Sequence, residues 1–157
     1  DGIILAAEYL GDVQGRRVIV IVSDGDDTSS DSTLDQALKS LQLSNCQVYV
    51  VKTTDFENYK RTGTRRGNAN IRQLAAERRM IEIANQTGGK VYSPIDEKEL
   101  DEAFRQISAE LSQQYILSYY PENEKEFRGA FREISLSVKA KPNVDVRTRK
   151  GYYVPKK

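Results

Sequence analysis

Five consecutive apolar β-branched residues, Val18 to Val22, lead directly into Ser23-Asp24-Gly25-Asp26-Asp27. Side chains alternate across a strand, so a run with no polar position is expected to be buried on both faces, as in a parallel sheet between two layers of helices. Such a strand carries whatever follows it to the carboxyl edge of the sheet, where open α/β sheets bind ligands. Gly25 has no Cβ and lets the chain turn sharply there, which should set Asp24 at the rim. Three carboxylates, Asp24, Asp26 and Asp27, repel one another unless positive charge lies among them. The hard oxygens of these residues, with Ser23, Thr28, Ser29 and Ser30, suit magnesium, manganese or calcium.

The remaining chain divides by hydrophobic period. Ile3, Ile4, Ala7 and Leu10 keep helical spacing before Gly11. After the acidic loop, Ser32-Thr-Leu-Asp35 has the form of a capping start, and Leu34, Ala37, Leu38 and Leu41 make one apolar stripe. Val48-Tyr-Val-Val51 then predicts a second buried strand parallel to the first, completing a βαβ unit. Thr53 to Asn70 shows no period and is expected to be an extended loop at the edge where Asp24 emerges. A helix from Ile71 to the Gly88-Gly89 stop, a short strand at Lys90 to Ser93, and a helix opened by Asp96 and Glu99 follow.

Beyond Ser112 the period becomes two. Ile134, Leu136, Val138 and Ala140 alternate with polar residues, Lys141-Pro-Asn-Val144 has turn chemistry, Val144 to Arg149 should return antiparallel, and Tyr115 to Tyr120 should add a third strand. The expected organisation is an α/β domain over 1–112 with an antiparallel β extension over 113–157.

The stretch Arg17-Val-Ile-Val-Ile-Val-Ser-Asp-Gly-Asp-Asp-Thr-Ser-Ser30 resembles the strand and following loop of a von Willebrand factor type A domain. The later Ile83-Ala-Asn-Gln-Thr-Gly-Gly-Lys-Val-Tyr92 is similar to that family's closing helix and edge strand. Gln114-Tyr-Ile-Leu-Ser-Tyr-Tyr-Pro121, the strand from Phe131 to Ala140 and Arg149-Lys-Gly-Tyr-Tyr153 resemble a bacterial, secreted branch of it. The resemblance implies a three-layer, doubly wound, mostly parallel sheet and a non-enzymatic adhesion module. It further implies a metal-ion-dependent adhesion site in which Asp24 ligates the cation and a protein partner offers a carboxylate. Ser23, Asp26, Asp27 and Thr28 are then expected to support Asp24, and the secreted branch implies an extracytoplasmic location.

The family's site also draws on an Asp-x-Ser-x-Ser loop and a Thr loop, and no Asp-x-Ser-x-Ser precedes Asp24 here. Asp1 to Leu10 resembles the helix just after the Thr loop, so the chain reads as a carboxy-terminal fragment lacking the first strand. Asp24 alone supplies few of the roughly six oxygens magnesium takes, so cation binding should be weak or absent. The sheet edge left open is a site for self-association.

Composition narrows the function classes. With 24 basic and 23 acidic residues, net charge is +1, and no whole-chain field draws in nucleic acid or an anionic membrane. No apolar run approaches the roughly 20 residues of a membrane span. The absence of histidine excludes His-based triads and Cys/His zinc sites, and the single Cys46 excludes an internal disulfide; burial is its expected fate. The one basic concentration includes Arg61, Arg65 and Arg66, candidates for contact with an acidic partner.

Three other readings of the acidic loop stand beside the metal site. It could be a solvated turn that caps the next helix. Asp24-Gly-Asp-Asp-Thr28 also matches the Asp-x-Asp-x-Thr of haloacid dehalogenase-like phosphatases, in which Asp24 would attack phosphorus and Asp26 would be the acid/base. Finally, the chain could be an assembly scaffold whose acidic loop is idle.

Overall fold

The computed structural model describes residues 1–64, 71–122, 127–139 and 146–154. Its described elements run α1 (Gly2–Gly11), β1 (Arg17–Ser23), α2 (Leu34–Leu43), β2 (Cys46–Lys52), α3 (Thr54–Thr62), α4 (Ile71–Thr87), β3 (Val91–Tyr92), α5 (Glu97–Ser112), β4 (Phe131–Glu133) and β5 (Gly151–Tyr153). The chain is mixed α/β. β1 pairs in parallel with β2 from Arg17↔Cys46 to Ser23↔Lys52, β2 pairs in parallel with β3, and the order is β1-β2-β3.

Alternate residues of β2 enter different cores. Val48 and Val50 pack with Ala7, Leu38, Leu41, Met80 and Ile83 from α1, α2 and α4. Tyr49 and Val51 pack with Tyr92 and with Ala103 and Ile107 of α5. Helices therefore cover both faces of β2, which is buried at every position but Gln47. The double burial expected of Val18–Val22 belongs to β2 rather than β1: Val20 and Val22 are 40% and 54% exposed. The reason is position in the sheet. Among the described residues β1 has β2 as its only ladder partner, and the core beneath α5 reaches Val18 but neither Val20 nor Val22.

Caps set the helix starts. Thr33 Oγ1 accepts from the Gln36 amide at 3.3 Å while Gln36 Oε1 accepts from the Thr33 amide at 2.8 Å, a capping box one residue later than Ser32–Asp35 suggests. Asp96 Oδ1 caps α5 by accepting from the Glu99 amide at 2.8 Å. At Gly89 the chain crosses β2 so closely that a Cβ would stand 1.8 Å from the Val48 carbonyl oxygen, and only glycine fits. Cys46 is buried and unbridged.

The expected loop from Thr53 is instead a helix, α3, up to Thr62. It buries no residue, so no apolar period marks it. It is held by charge: Asp55 and Glu57 lie in its first turn, Lys60 and Arg61 in its last, and Gly63 closes it at φ 66°.

The carboxy-terminal strands are shorter than the alternation suggests. β4 and β5 pair antiparallel from Phe131↔Tyr153 to Glu133↔Gly151. Residues 134–139 and 146–149 join no ladder, and neither does Tyr115–Tyr120, whose end residues are 94% and 100% exposed. Period-two patterning licenses a strand only where a partner edge exists, and β5 offers three residues. Ala140 and the expected turn at 141–144 lie outside the described residues. The tail is fastened to the α/β body: the Lys150 amide donates to the Gln86 carbonyl at 3.0 Å, Lys39 Nζ lies 5.6 Å from the Tyr153 ring centroid, and Val154 is buried.

Candidate functional site at the carboxyl edge of the sheet

β1 ends as expected, with Asp24 exposed at the rim. Gly25 is buried and turns the chain at φ 79°, and a Cβ there would lie 3.1 Å from Met80 Cγ of α4. Asp24 Oδ1 accepts from the Asp26 amide at 3.1 Å and from Ser23 Oγ at 3.4 Å, while Ser23 Oγ accepts from the Gly25 amide at 3.0 Å. The loop beyond is held by Asp1, whose carboxylate accepts from the amides of Asp31 and Ser32 at 3.0 Å each. Nothing in the sequence pattern singles out Asp1.

The mutual repulsion of the three carboxylates is relieved locally. Asp26 Oδ2 lies 3.8 Å from Arg72 Nη1, an exposed and therefore weak pairing. Asp27 is held below the usual carboxylate range by donors from the Ser30 side chain and backbone; the backbone bond measures 3.2 Å.

Asp24 and Asp26 face a cleft of about 370 Å³ whose other walls are α3, through Thr54, Glu57, Asn58 and Arg61, and α4, through Arg72, Gln73 and Ala76. Thr54 Oγ1 donates to the Asp24 carbonyl at 3.3 Å and joins the α3 start to the loop. Three of the proposed residues, Asp24, Asp26 and Arg61, therefore meet in one cleft. Ser23 acts through Asp24, Asp27 and Thr28 are exposed and do not line the cleft, and Arg65 and Arg66 lie outside the described residues.

Lys52, the last residue of β2, organises the cleft although the sequence pattern assigns it no place in the metal site. Its side chain is 8% exposed, and its ammonium donates to Glu77 of α4 at 2.9 Å and lies 3.3 Å from Asp55 of α3. Burial alone would lower its pKa, but Glu77 and Asp55 outweigh that and hold it above the ordinary value. One cation thus ties both helical walls of the cleft to the sheet. A single Lys closing the apolar run Val48–Val51 was the available signal.

As a metal site the cleft fits in kind but not in number. Carboxylate and hydroxyl oxygens suit a hard divalent ion. Yet among the described residues no group of three or more Asp, Glu, His or Cys side chains is gathered to hold one. The positive charge of Arg61 and Arg72 gives the cleft a second capability, bidentate recognition of a carboxylate. Among the described residues, no helix is long and apolar enough to cross a membrane. Compared with known family models and with curated proteins, the chain matches none.

Proposed function

We propose that this chain is a non-enzymatic protein-recognition module of the von Willebrand factor type A kind, with a doubly wound sheet, and that the rim cleft receives an acidic group of a protein partner. The observation that carries this reading is the meeting of Asp24 with Arg61 in one open cleft at the carboxyl edge of a parallel sheet. Arg61 and Arg72 would orient the incoming carboxylate, against the opposing charge of Asp24, Asp26 and Glu57 in the same lining. Asp24, with Asp26 beside it, would hold a divalent cation such as magnesium; when bound, the ion supplies a further positive centre for the same carboxylate. Water and the partner complete its coordination, so affinity for the free ion is low, on the order of 0.1–1 mM. The resemblance to the secreted branch of the family supports an extracytoplasmic location for the module.

The test is calorimetric titration with a glutamate-rich peptide, in magnesium and in chelator, on the chain and its Asp24→Ala and Arg61→Ala variants. Binding that weakens in chelator and in both variants is expected. Equal binding by all three chains sinks the reading, as does turnover of a phosphomonoester that Asp24→Asn abolishes.

A further inference from the structure

α3 forms a wall of the rim cleft without the apolar packing that fixes the other helices. It buries none of its 9 residues, and among the described residues its two aromatics, Phe56 and Tyr59, belong to neither core. A helix of that length does not stand alone in water, where roughly 12–15 residues are marginal even for good helix formers. Something other than burial must hold it. The ties the structure shows are polar and gathered at its amino end: the Thr53 amide donates to the Ser23 carbonyl at 3.0 Å, Thr54 Oγ1 donates to the Asp24 carbonyl at 3.3 Å, and the Asp55 carboxylate lies 3.3 Å from Lys52 Nζ.

The ion pair is the tie that can come and go. Thr53 continues the hydrogen bonding of β1 with β2 and stays with the sheet. Lys52 has a second partner, Glu77 of α4 at 2.9 Å, so its buried ammonium remains paired when Asp55 leaves. Asp55, with its side chain 36% exposed, returns to water. Separation strands neither charge, and the penalty that locks a fully buried pair does not arise.

We propose that α3 is a latched wall: docked, with Asp55 on Lys52, it is helical and presents Glu57, Asn58 and Arg61 to the cleft, and undocked it loses its helix and withdraws them. The undocked form should make up about 1–10% of the empty chain. The latch itself does not depend on what the cleft binds. What it regulates rests on the proposed acidic ligand, because a carboxylate held by Arg61 of α3 and Arg72 of α4 would bridge the two walls and draw α3 to the docked form.

Amide hydrogen exchange read by NMR tests this on the chain and on its Asp55→Asn and Glu57→Gln variants. Asp55 does not line the cleft, and Glu57 shares its turn without being a partner of Lys52, so the two variants separate the latch from the general benefit of acid at a helix start. Amides from Glu57 to Gly63 should be protected only about 10–100-fold, as the undocked fraction requires, and far less than those of β2 and α5. They should exchange about 3–10-fold faster in Asp55→Asn and about 2-fold faster in Glu57→Gln, with β2 and α5 unchanged in both. A glutamate-rich peptide in magnesium should slow them in the unaltered chain. The latch is overturned by α3 amides as protected as those of α5, by an Asp55→Asn chain that exchanges like the unaltered one, or by an equal effect of Glu57→Gln. A peptide that binds and leaves α3 exchange unchanged overturns its regulatory role, whereas a peptide that does not bind sinks the acidic-ligand reading and leaves the Asp55→Asn result to decide the latch.

Discussion

The Lys52 ammonium donates to the Glu77 carboxylate at 2.9 Å, and that contact joins the carboxyl end of the central strand to the helix forming one wall of the cleft. Asp55 at 3.3 Å extends the tie to the other wall. Because Glu77 and Asp55 are each more than a third exposed, they rehydrate when the cation is removed, which discounts the loss. Lys52→Ala should therefore cost about 1–3 kcal/mol rather than the larger penalty of a fully buried pair, and Glu77→Gln less than about 1 kcal/mol. Urea denaturation of the two variants checks both. The raised Lys52 pKa makes this contribution fully present below the ordinary value of 10.5, and it fades only as pH climbs past that point.

Gly89 and Gly25 separate two kinds of glycine requirement. Gly89→Ala drives a Cβ into the Val48 carbonyl, a backbone atom that cannot swing aside, and should cost more than about 3 kcal/mol or prevent folding. Gly25→Ala meets a positive φ and the flexible Met80 side chain, and about 1–2 kcal/mol is expected. Thermal unfolding should rank them in that order. Any folded Gly25→Ala protein should also show displaced Asp24 resonances.

How much of this was legible in sequence depends on what held each element. β2 and the apolar stripe of α2 announce themselves because burial of apolar side chains forms them, and the Gly88-Gly89 stop because glycine ends a helix. The Asp24 rim position follows from the strand that delivers it. α3 does not announce itself, since its stability lies in end charges and in Thr54 and Asp55 reaching other elements. The outer half of β1 misleads for the opposite reason: Val20 and Val22 have a buried pattern without a covering neighbour. The tail pattern at Ile134–Val138 errs likewise, predicting a ladder whose partner edge is three residues long.

At the edge remote from the cleft, Tyr92 OH bonds to Glu110 at 3.2 Å, and Glu110 pairs with Arg147 from the tail at 2.5 Å. Burial, reinforced by the Glu110 charge, pushes the Tyr92 phenol up to about 12. A phenol whose folded pKa lies above its unfolded value of 10 stabilises the fold below pH 10 and stops doing so between pH 10 and about 12. Burial and the Glu110 charge raise the Tyr49 phenol as well, so phenolate absorbance should show more than one late-ionising tyrosine, and Tyr92→Phe should remove one of them.

Burial opposes ionisation of Glu110, but Arg147 overcomes it and lowers the carboxyl below its ordinary 4.5. Its contribution is therefore present above pH 4.5 and lost as pH falls through the lowered folded value. Arg147→Met should flatten the acid limb of a stability–pH curve and loosen the tail, which hydrogen exchange at Gly151 to Tyr153 would register.

Manganese bound in the cleft would broaden the backbone amide resonances around it, so a manganese titration followed by NMR shows where a divalent ion meets this chain. Broadening should centre on Asp24 to Asp26 and on Thr54 to Arg61, be half-complete on the order of 0.1–1 mM manganese, and be abolished by Asp24→Ala. Broadening centred elsewhere, or unchanged in Asp24→Ala, would contradict the proposed role of Asp24.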